Sequence, residues 1–498
     1  MFIPKSLFIN RIFLLVCLNL FFFTSNAQVG IGTVDPDPSA MLDVSSTSQG
    51  ILAPRMTTAQ RVAISNPANG LLVYDLDERS FYFYEETVPE WVRLNSSQEQ
   101  RDNFVLVKTL ADFPAPSGAG VITLDTNTYY EINGIINLAG NKINLNNAYL
   151  SGLDANEDVI VAGAGTTAFQ GSTGGSIRNI TITGGGTAFN ITGATGQSLL
   201  LQNTIVANMA SVGTLAGLGV FFSNIVQYVG NTNGITYTGI DNLLLSNQAW
   251  FGNNGGTYET FTGTFQLIQK VSGFSTVPLG ATGINVSSNP TVGEGILLST
   301  LFTGAGTYVN RYTTGSYPGF NFNNNWVVNC PGIPRESDNE ATGNIYYNGD
   351  LAGGFAQAIP TTVNTPFNLA NNTTTLAPNN FRVTSPENNR LTYAGRRPKT
   401  FQVNATLAVR ANTTNTQSTF FAFFIRKNGN TGTTLVPTNT VMRTPNSSGS
   451  GAELVSLSIS GTVDLVPGDY IKVWGQRLTG GNLTSPQLAI FAVNMNIK

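Results

Sequence analysis

The sequence predicts an all-β chain, a right-handed parallel β-helix followed by a C-terminal jelly-roll β-sandwich. Three observations predict it. An apolar–polar–Asn triplet recurs as Ile177-Arg178-Asn179, Leu201-Gln202-Asn203, Phe222-Ser223-Asn224 and Leu245-Ser246-Asn247, its asparagines 24, 21 and 23 residues apart. A period in this range signals stacked units that bury their apolar faces only against their neighbours. The composition is turn-rich and strand-rich, with 53 glycines, 41% hydrophobic and only 11% charged residues, and few windows carry a 3.6-residue apolar period with caps. Finally, the C-terminal region alternates over long stretches, which suits eight to ten strands of a jelly roll.

The triplets each lead into a β-rich run and then a Gly/Asn break. Leucine-rich repeats share the period but need a denser leucine pattern than these coils keep. Asn tolerates left-handed backbone, so the recurring Asn is expected as an inward amide ladder at a turn. These residues are evidence of fold rather than of a site.

Composition excludes several chemistries. Histidine is absent from all 498 residues, which removes Ser-His-Asp and Cys-His catalysis, His-ligated metal and an imidazole pH switch. Formal charge is −3. Losing Lys5 and Arg11 with a leader would leave 23 basic against 28 acidic residues, or −5. No basic patch stands out, so nucleic acid is not an expected partner. Cys17 falls in the leader, leaving Cys330 without an intrachain disulfide partner and expected to be buried.

In chain order, residues 1–27 read as a secretory signal peptide. Lys5 and Arg11 supply the positive region, Ile12 to Phe23 the apolar region, and Ser25-Asn26-Ala27 the small residues before cleavage. The apolar run is too short for an ordinary span, and no later segment is apolar enough to cross a bilayer. The mature chain is expected to begin at Gln28 and to lie outside the cell, secreted or at its surface.

Residues 28–97 read as a β-rich attachment module, with turns at Pro36 to Pro38 and Asn69-Gly70 and an aromatic strand at Phe81-Tyr82-Phe83-Tyr84. Its Val29-Gly30-Ile31-Gly32-Thr33, Met41-Leu42-Asp43-Val44, Gly50-Ile51-Leu52-Ala53-Pro54-Arg55-Met56, Asn66 to Asp75 and Trp91-Val92 resemble a module found at the start of secreted Bacteroidetes surface proteins. That resemblance implies a surface context and a following fibre or repeat. The alternating aromatics are expected to pack in a core or between subunits.

Residues 98–341 read as the β-helix. Phe104-Val105-Leu106-Val107, Gly120 to Leu124, Tyr129 to Gly134 and Lys142-Ile143-Asn144-Leu145 run strand, short turn, strand. The pattern is similar to the pectin-lyase-like helices of tailspikes, fibres and polysaccharide lyases, without a catalytic signature.

Residues 342–498 read as the head, with strands mainly in 380–498 and a hairpin signal at Lys427-Asn428-Gly429-Asn430. Three motifs, Arg390-Leu391-Thr392-Tyr393-Ala394-Gly395, Ile425 to Gly429 and Val463 to Ile471, resemble in order and spacing the C-terminal jelly rolls of phage fibre and receptor-binding proteins. Those are similar in form to C1q and tumour-necrosis-factor heads. The resemblance implies a homotrimer with a glycan- or receptor-binding surface. The leader departs from the phage pattern and favours a host-encoded surface relative.

No catalytic residues are assigned. A β-helix lyase or hydrolase needs paired carboxylates or acidic Ca²⁺ ligands beside a base. The two acidic clusters, Asp154/Glu157/Asp158 and Arg335/Glu336/Asp338/Glu340, sit in turn-like text and read as solvated loop charges. Asp241, Glu259 and Glu294 could pair across coils. No metal ligand set is assigned, and Ca²⁺ is the one cofactor left open. The candidate ligand-binding residues are aromatic: Tyr308, Arg311, Tyr312, Tyr317, Phe320 and Trp326, with Phe322 among them. Sugar rings stack on such faces while nearby polar groups hydrogen-bond hydroxyls. The competing reading is that they plug the terminal coil.

The expectation is a secreted homotrimeric, tail-fibre-like adhesin binding cell-surface or environmental polysaccharide. The alternatives are a β-helix polysaccharide lyase or glycoside hydrolase with a jelly-roll binding module, and a structural component of a phage-derived tail-like particle.

Overall fold

The computed structural model describes residues 28–94, 102–347, 350–369, 374–412, 419–429, 438–444, 453–480 and 487–498. The leader reading of residues 1–27 and position 430 of the hairpin signal lie outside the described residues. Two compact units are present, Met1–Arg101 and Asp102–Lys498.

In the first unit a short parallel pair joins Val29–Ile31 to Leu42–Val44. A four-stranded sheet follows, ordered Arg55–Met56, Leu72–Asp75, Ser80–Glu85, Glu90–Arg93. Between its first two strands the helix Thr58–Val62 starts on a reciprocal capping box of Thr57 and Gln60.

The second unit opens with a parallel β-solenoid. Residues pair coil to coil in register because each coil is flat, β-branched and closed by tight turns. Three faces result. Ten strands, from Phe104–Val107 to Trp326–Asn329, form the first face of a 14-stranded sheet; past a corner, the other four strands and the ends of Ser198–Ala207, Val220–Val229, Asn242–Trp250 and Thr264–Thr276 form a second face. Nine strands from Val121–Thr123 to Thr307–Asn310 form the third. Inward positions such as Ile143, Phe169, Phe189, Leu215, Tyr237 and Phe261 stack into one continuous core.

Outward positions stack just as regularly. On the first face one column runs Phe104, Tyr129, Tyr149, Ser176, Leu200, Phe222, Leu244, Gln269, Ile296, Val327, each the register partner of the next. On the second face a column runs Ile135, Val159, Thr181, Ile205, Gln227, Ala249, Phe274, Leu301. On the third face the matching column is Gln170, Asn190, Thr214, Thr236, Thr260, Asn285, Asn310.

The corner between the first two faces is made by left-handed residues: Asn179 (φ 51°), Asn203 (49°), Ile225 (54°), Asn247 (50°), Ser272 (61°) and Ser299 (56°). This corrects the expected ladder in two ways. Asn203 and Asn247 are exposed, so the ladder lies on the outer edge and not inside. In the third triplet the bend residue is Ile225, one position beyond Asn224. The amide contacts are Asn203 Nδ2 to Asn179 Oδ1 and Asn247 Nδ2 to Asn224 Oδ1, both 3.1 Å. The inward Asn pair is a different one. Buried Asn231 donates to Asn254 Oδ1 (2.9 Å), and Asn254 donates to Tyr228 O.

After the last coil the chain builds two six-stranded antiparallel sheets packed around Val403, Leu407, Phe421, Ile425, Val473 and Ile490, a sandwich. The three head motifs converge. Lys427 pairs with Asp469 (2.6 Å), Asn428 Nδ2 donates to Asp469 Oδ1 (2.8 Å), the Tyr393 N–H donates to Asp469 O (2.9 Å), and Arg390 stacks 3.8 Å over Tyr470. Among the described residues no helix is long and apolar enough to cross a membrane.

Candidate functional site

Two places stand out chemically, the apolar surface of the first unit and the seam where the head meets the end of the solenoid.

The first unit has little interior. Its one buried hydrophobic residue among those described is Val73, and the other buried side chains are Arg61, Asp75 and Ser80. Arg61 Nε donates to Asp75 Oδ2 at 2.8 Å while its guanidinium lies 3.8 Å over the Tyr82 ring. Burial raises the Asp75 carboxyl, but the Glu78 and Asp77 backbone N–H groups, Arg61 and Thr58 outweigh it and hold the pKa down to about 2. Around this polar core Ile31, Met41, Leu52, Val62, Leu72 and Leu94 are all exposed. A unit this small buries little and is marginal by itself, and an exposed apolar set of this kind suits cover by another surface.

At the seam, Arg382 is buried with left-handed backbone (φ 52°). It donates to Asp338 Oδ1 and to the Trp326 carbonyl. Asp338 Oδ2 also accepts the backbone N–H groups of Arg396 (3.1 Å) and Arg397 (2.9 Å). Arg396 closes a bidentate pair on Glu294 at 2.7 and 3.0 Å, a geometry that fixes orientation as well as charge. These residues, with Asn324, Val327, Ser337, Asn339 and Arg397, line a cavity of about 230 Å³. Three guanidinium groups meet two carboxylates there. Arg382 and Arg396 are paired; among the described residues Arg397 has no carboxylate partner, which leaves the cavity one positive charge in excess.

The aromatic candidates do not form one exposed platform. Tyr312, Phe322 and Trp326 are buried, and Trp326 Nε1 donates to Tyr312 Oη (3.1 Å). No sugar ring can reach their faces. Tyr317 and Phe320 lie against Phe381 of the head, Phe320 stacked at 3.9 Å and Tyr317 edge-on at 5.2 Å. Tyr308 donates its hydroxyl to Gly304 O (2.7 Å), and Arg311 is exposed. The segment therefore closes the last coil and seats the head. Its neighbours Val327, Asn324 and Glu294 reach the cavity. Arg382, Arg396 and Arg397 were missed because they lie more than fifty residues away in the sequence. The signal available was the clustering of Arg382, Arg390, Arg396 and Arg397 in a chain poor in charge.

In each acidic cluster at least one member departs from the solvated-loop reading, while Asp154, Glu157 and Arg335 are exposed. Asp158 accepts N–H groups from Gly134, Leu153 and Asp154, and so ties a turn together. Glu336 is buried and accepts the Asn321 (2.7 Å) and Phe322 (3.0 Å) N–H groups. Burial pushes its pKa up to about 7, with those N–H groups, Arg382 and Arg311 pulling the other way. Glu259 and Glu294 are met by bases rather than by a second carboxylate on another coil: Glu259 by Lys270 (3.0 Å) and Glu294 by Arg396 of the head (2.7 Å). Burial raises the Cys330 thiol as well. Among the described residues no group of three or more Asp, Glu, Cys or His could hold a metal ion.

Comparison with known proteins agrees with the first place. Residues 30–106 match the family described as the phage tail like trimerisation region, which supports a trimeric, fibre-like protein. The solved structure of Eiger TNF from S. frugiperda is similar at 9% identity and a TM-score of 0.23, over 32% of this chain and 93% of that one. No curated protein matches the chain.

Proposed function

We propose that this is a secreted, homotrimeric fibre-like adhesin that binds cell-surface or environmental polysaccharide. One observation carries the trimer: a compact first unit that buries a single hydrophobic side chain among its described residues, over the same residues that match a trimerisation region. Three copies meeting there would cover what one copy leaves in water.

The ligand half of the reading rests on the seam. A cavity of about 230 Å³ is below the roughly 300–1,000 Å³ of drug-sized pockets, so it suits one sugar unit. Its lining offers one unpaired guanidinium, amides, a hydroxyl and the apolar Val327 wall. That set fits a sugar carrying a carboxylate better than a neutral one. Three such sites on one trimer raise avidity even if each is weak.

The test is a glycan panel probed with purified residues 28–498. Acidic polysaccharides are expected to bind, and neutral ones much less. Arg397→Ala should weaken capture at least about tenfold, the worth of one charge-assisted hydrogen bond. Equal binding of the variant would remove the seam from the argument.

A further inference from the structure

The three solenoid faces are chemically unlike. The third face presents hydroxyls and amides outward, Thr214, Thr236 and Thr260 at its middle. The first presents Leu200, Phe222 and Leu244 at the same coils, and eight of its ten rungs are apolar or aromatic. The second face is also mainly apolar, with Ile135 and Leu301 at the ends of its column strongly exposed. Water alone would favour polar residues equally on all three.

The corner joining the two apolar faces holds a further anomaly. Five of its six bend residues are Asn or Ser, which accept left-handed backbone or are small. The sixth is Ile225, β-branched at φ 54° and 49% exposed. Left-handed backbone strains such a residue, and about half of it stays in water within one subunit. Neither term favours isoleucine there.

We propose that the solenoid is an assembly surface for two further copies of this chain. Its corner faces the common axis, so that three Ile225 side chains meet, and the first face of one copy packs on the second face of the next. The inference rests on the trimer reading above and extends it. Three features select this occupant. The apolar column is one residue wide, with Gln202, Asn224 and Ser246 beside it, too narrow for a globular partner but suited to parallel rods. A second copy has the same coil spacing, so rung meets rung over the seven steps of its eight-residue second-face column, about 4.8 Å each and roughly 34 Å in all. The trimerisation match, which ends at residue 106, includes Phe104, the first rung of the column. An interface pairing two different faces closes into a ring when the rotation is threefold.

The test uses residues 28–498 carrying Ile225→Cys, with Thr236→Cys on the polar face as control. Mass is first measured by light scattering, then the oxidised protein is run on a denaturing gel without reductant. The expected result is a trimer in solution for both, with disulfide-linked dimers from Ile225→Cys alone, since a third thiol has no partner. A trimer without that cross-link would overturn the inference and leave assembly to the first unit. A monomer would overturn the trimer reading itself. Ile225→Asn gives an independent arm. It relieves the strained backbone, so a lone subunit would melt higher; loss of an axial contact makes the trimer melt lower. A lower melting temperature is expected, and a higher one would overturn the proposal.

Discussion

At the scale of single residues, this protein places its few charges where they decide stability. Inside the solenoid Lys270 donates to Glu259 (3.2 Å) and to Gln248 (2.8 Å), and Gln248 donates to Ser223. All four side chains are buried. Burial holds the Glu259 carboxyl high, opposed by Lys270. Replacing Lys270 with Met leaves an uncompensated carboxylate and should cost about 3–5 kcal/mol in chemical denaturation; adding Glu259→Gln should recover much of it. Glu336 sets a pH dependence. Its folded pKa of about 7 lies above its ordinary 4.5, so folding prefers the protonated form. Its contribution is full below pH 4.5 and is lost as pH rises through 7. Glu336→Gln should flatten that slope, on the order of 3 kcal/mol, in melting curves between pH 5 and 8. Neither role was legible in the sequence. Lys270 and Glu259 are eleven residues apart with no local pattern, and Glu336 sits in text that reads as a loop.

Among the elements, period was legible and register was not. Coil length follows from the recurring triplets because each coil must return to the same face. Which residue takes the bend depends on a one-residue slip that the Asn spacing cannot reveal. Asn224 and Ile225 show this. The aromatic segment between Tyr308 and Trp326 fails differently: stacking platforms and end plugs share the same composition, and burial alone separates them. One glycine belongs to this scale. A Cβ on Gly295 would meet Trp326 Cδ2 at 2.2 Å, so Gly295 makes room for the ring that closes the last coil. Gly295→Ala should destabilise by about 1–3 kcal/mol and lower the melting temperature, while Gly280→Ala, where nothing lies within 4 Å, carries only left-handed strain.

In the whole molecule, the first unit has little burial to hold it together, with Val73 as its one buried hydrophobic side chain among the described residues. Arg61→Ala removes the cation that covers Tyr82 and satisfies Asp75, and should lower the melting temperature of the first unit and weaken the trimer, read as light-scattering mass falling with dilution sooner than in the parent protein. The seam makes a separate prediction. Capture of an acidic polysaccharide should fall steeply between about 0.1 and about 1 M salt, because attraction to the unpaired Arg397 is screened as the Debye length shrinks from roughly 10 to 3 Å. Fold class was legible from period, composition and alternation, since each is a direct consequence of strand geometry. The seam cavity was not, because it joins Glu294 to Arg396 across 102 residues.

Coil-to-coil register has one more consequence, for how such a protein can change size. Every ladder in the solenoid repeats once per coil, so inserting or deleting one whole coil leaves the inward core, the corner and all three outward columns in phase. Each such step moves the head by about 4.8 Å relative to the first rung. An insertion of half a coil would turn buried side chains outward and break the stack. Reach is therefore quantised: duplication of a single coil of the gene is a ruler mark, and relatives of different length should differ by whole coils between fixed ends.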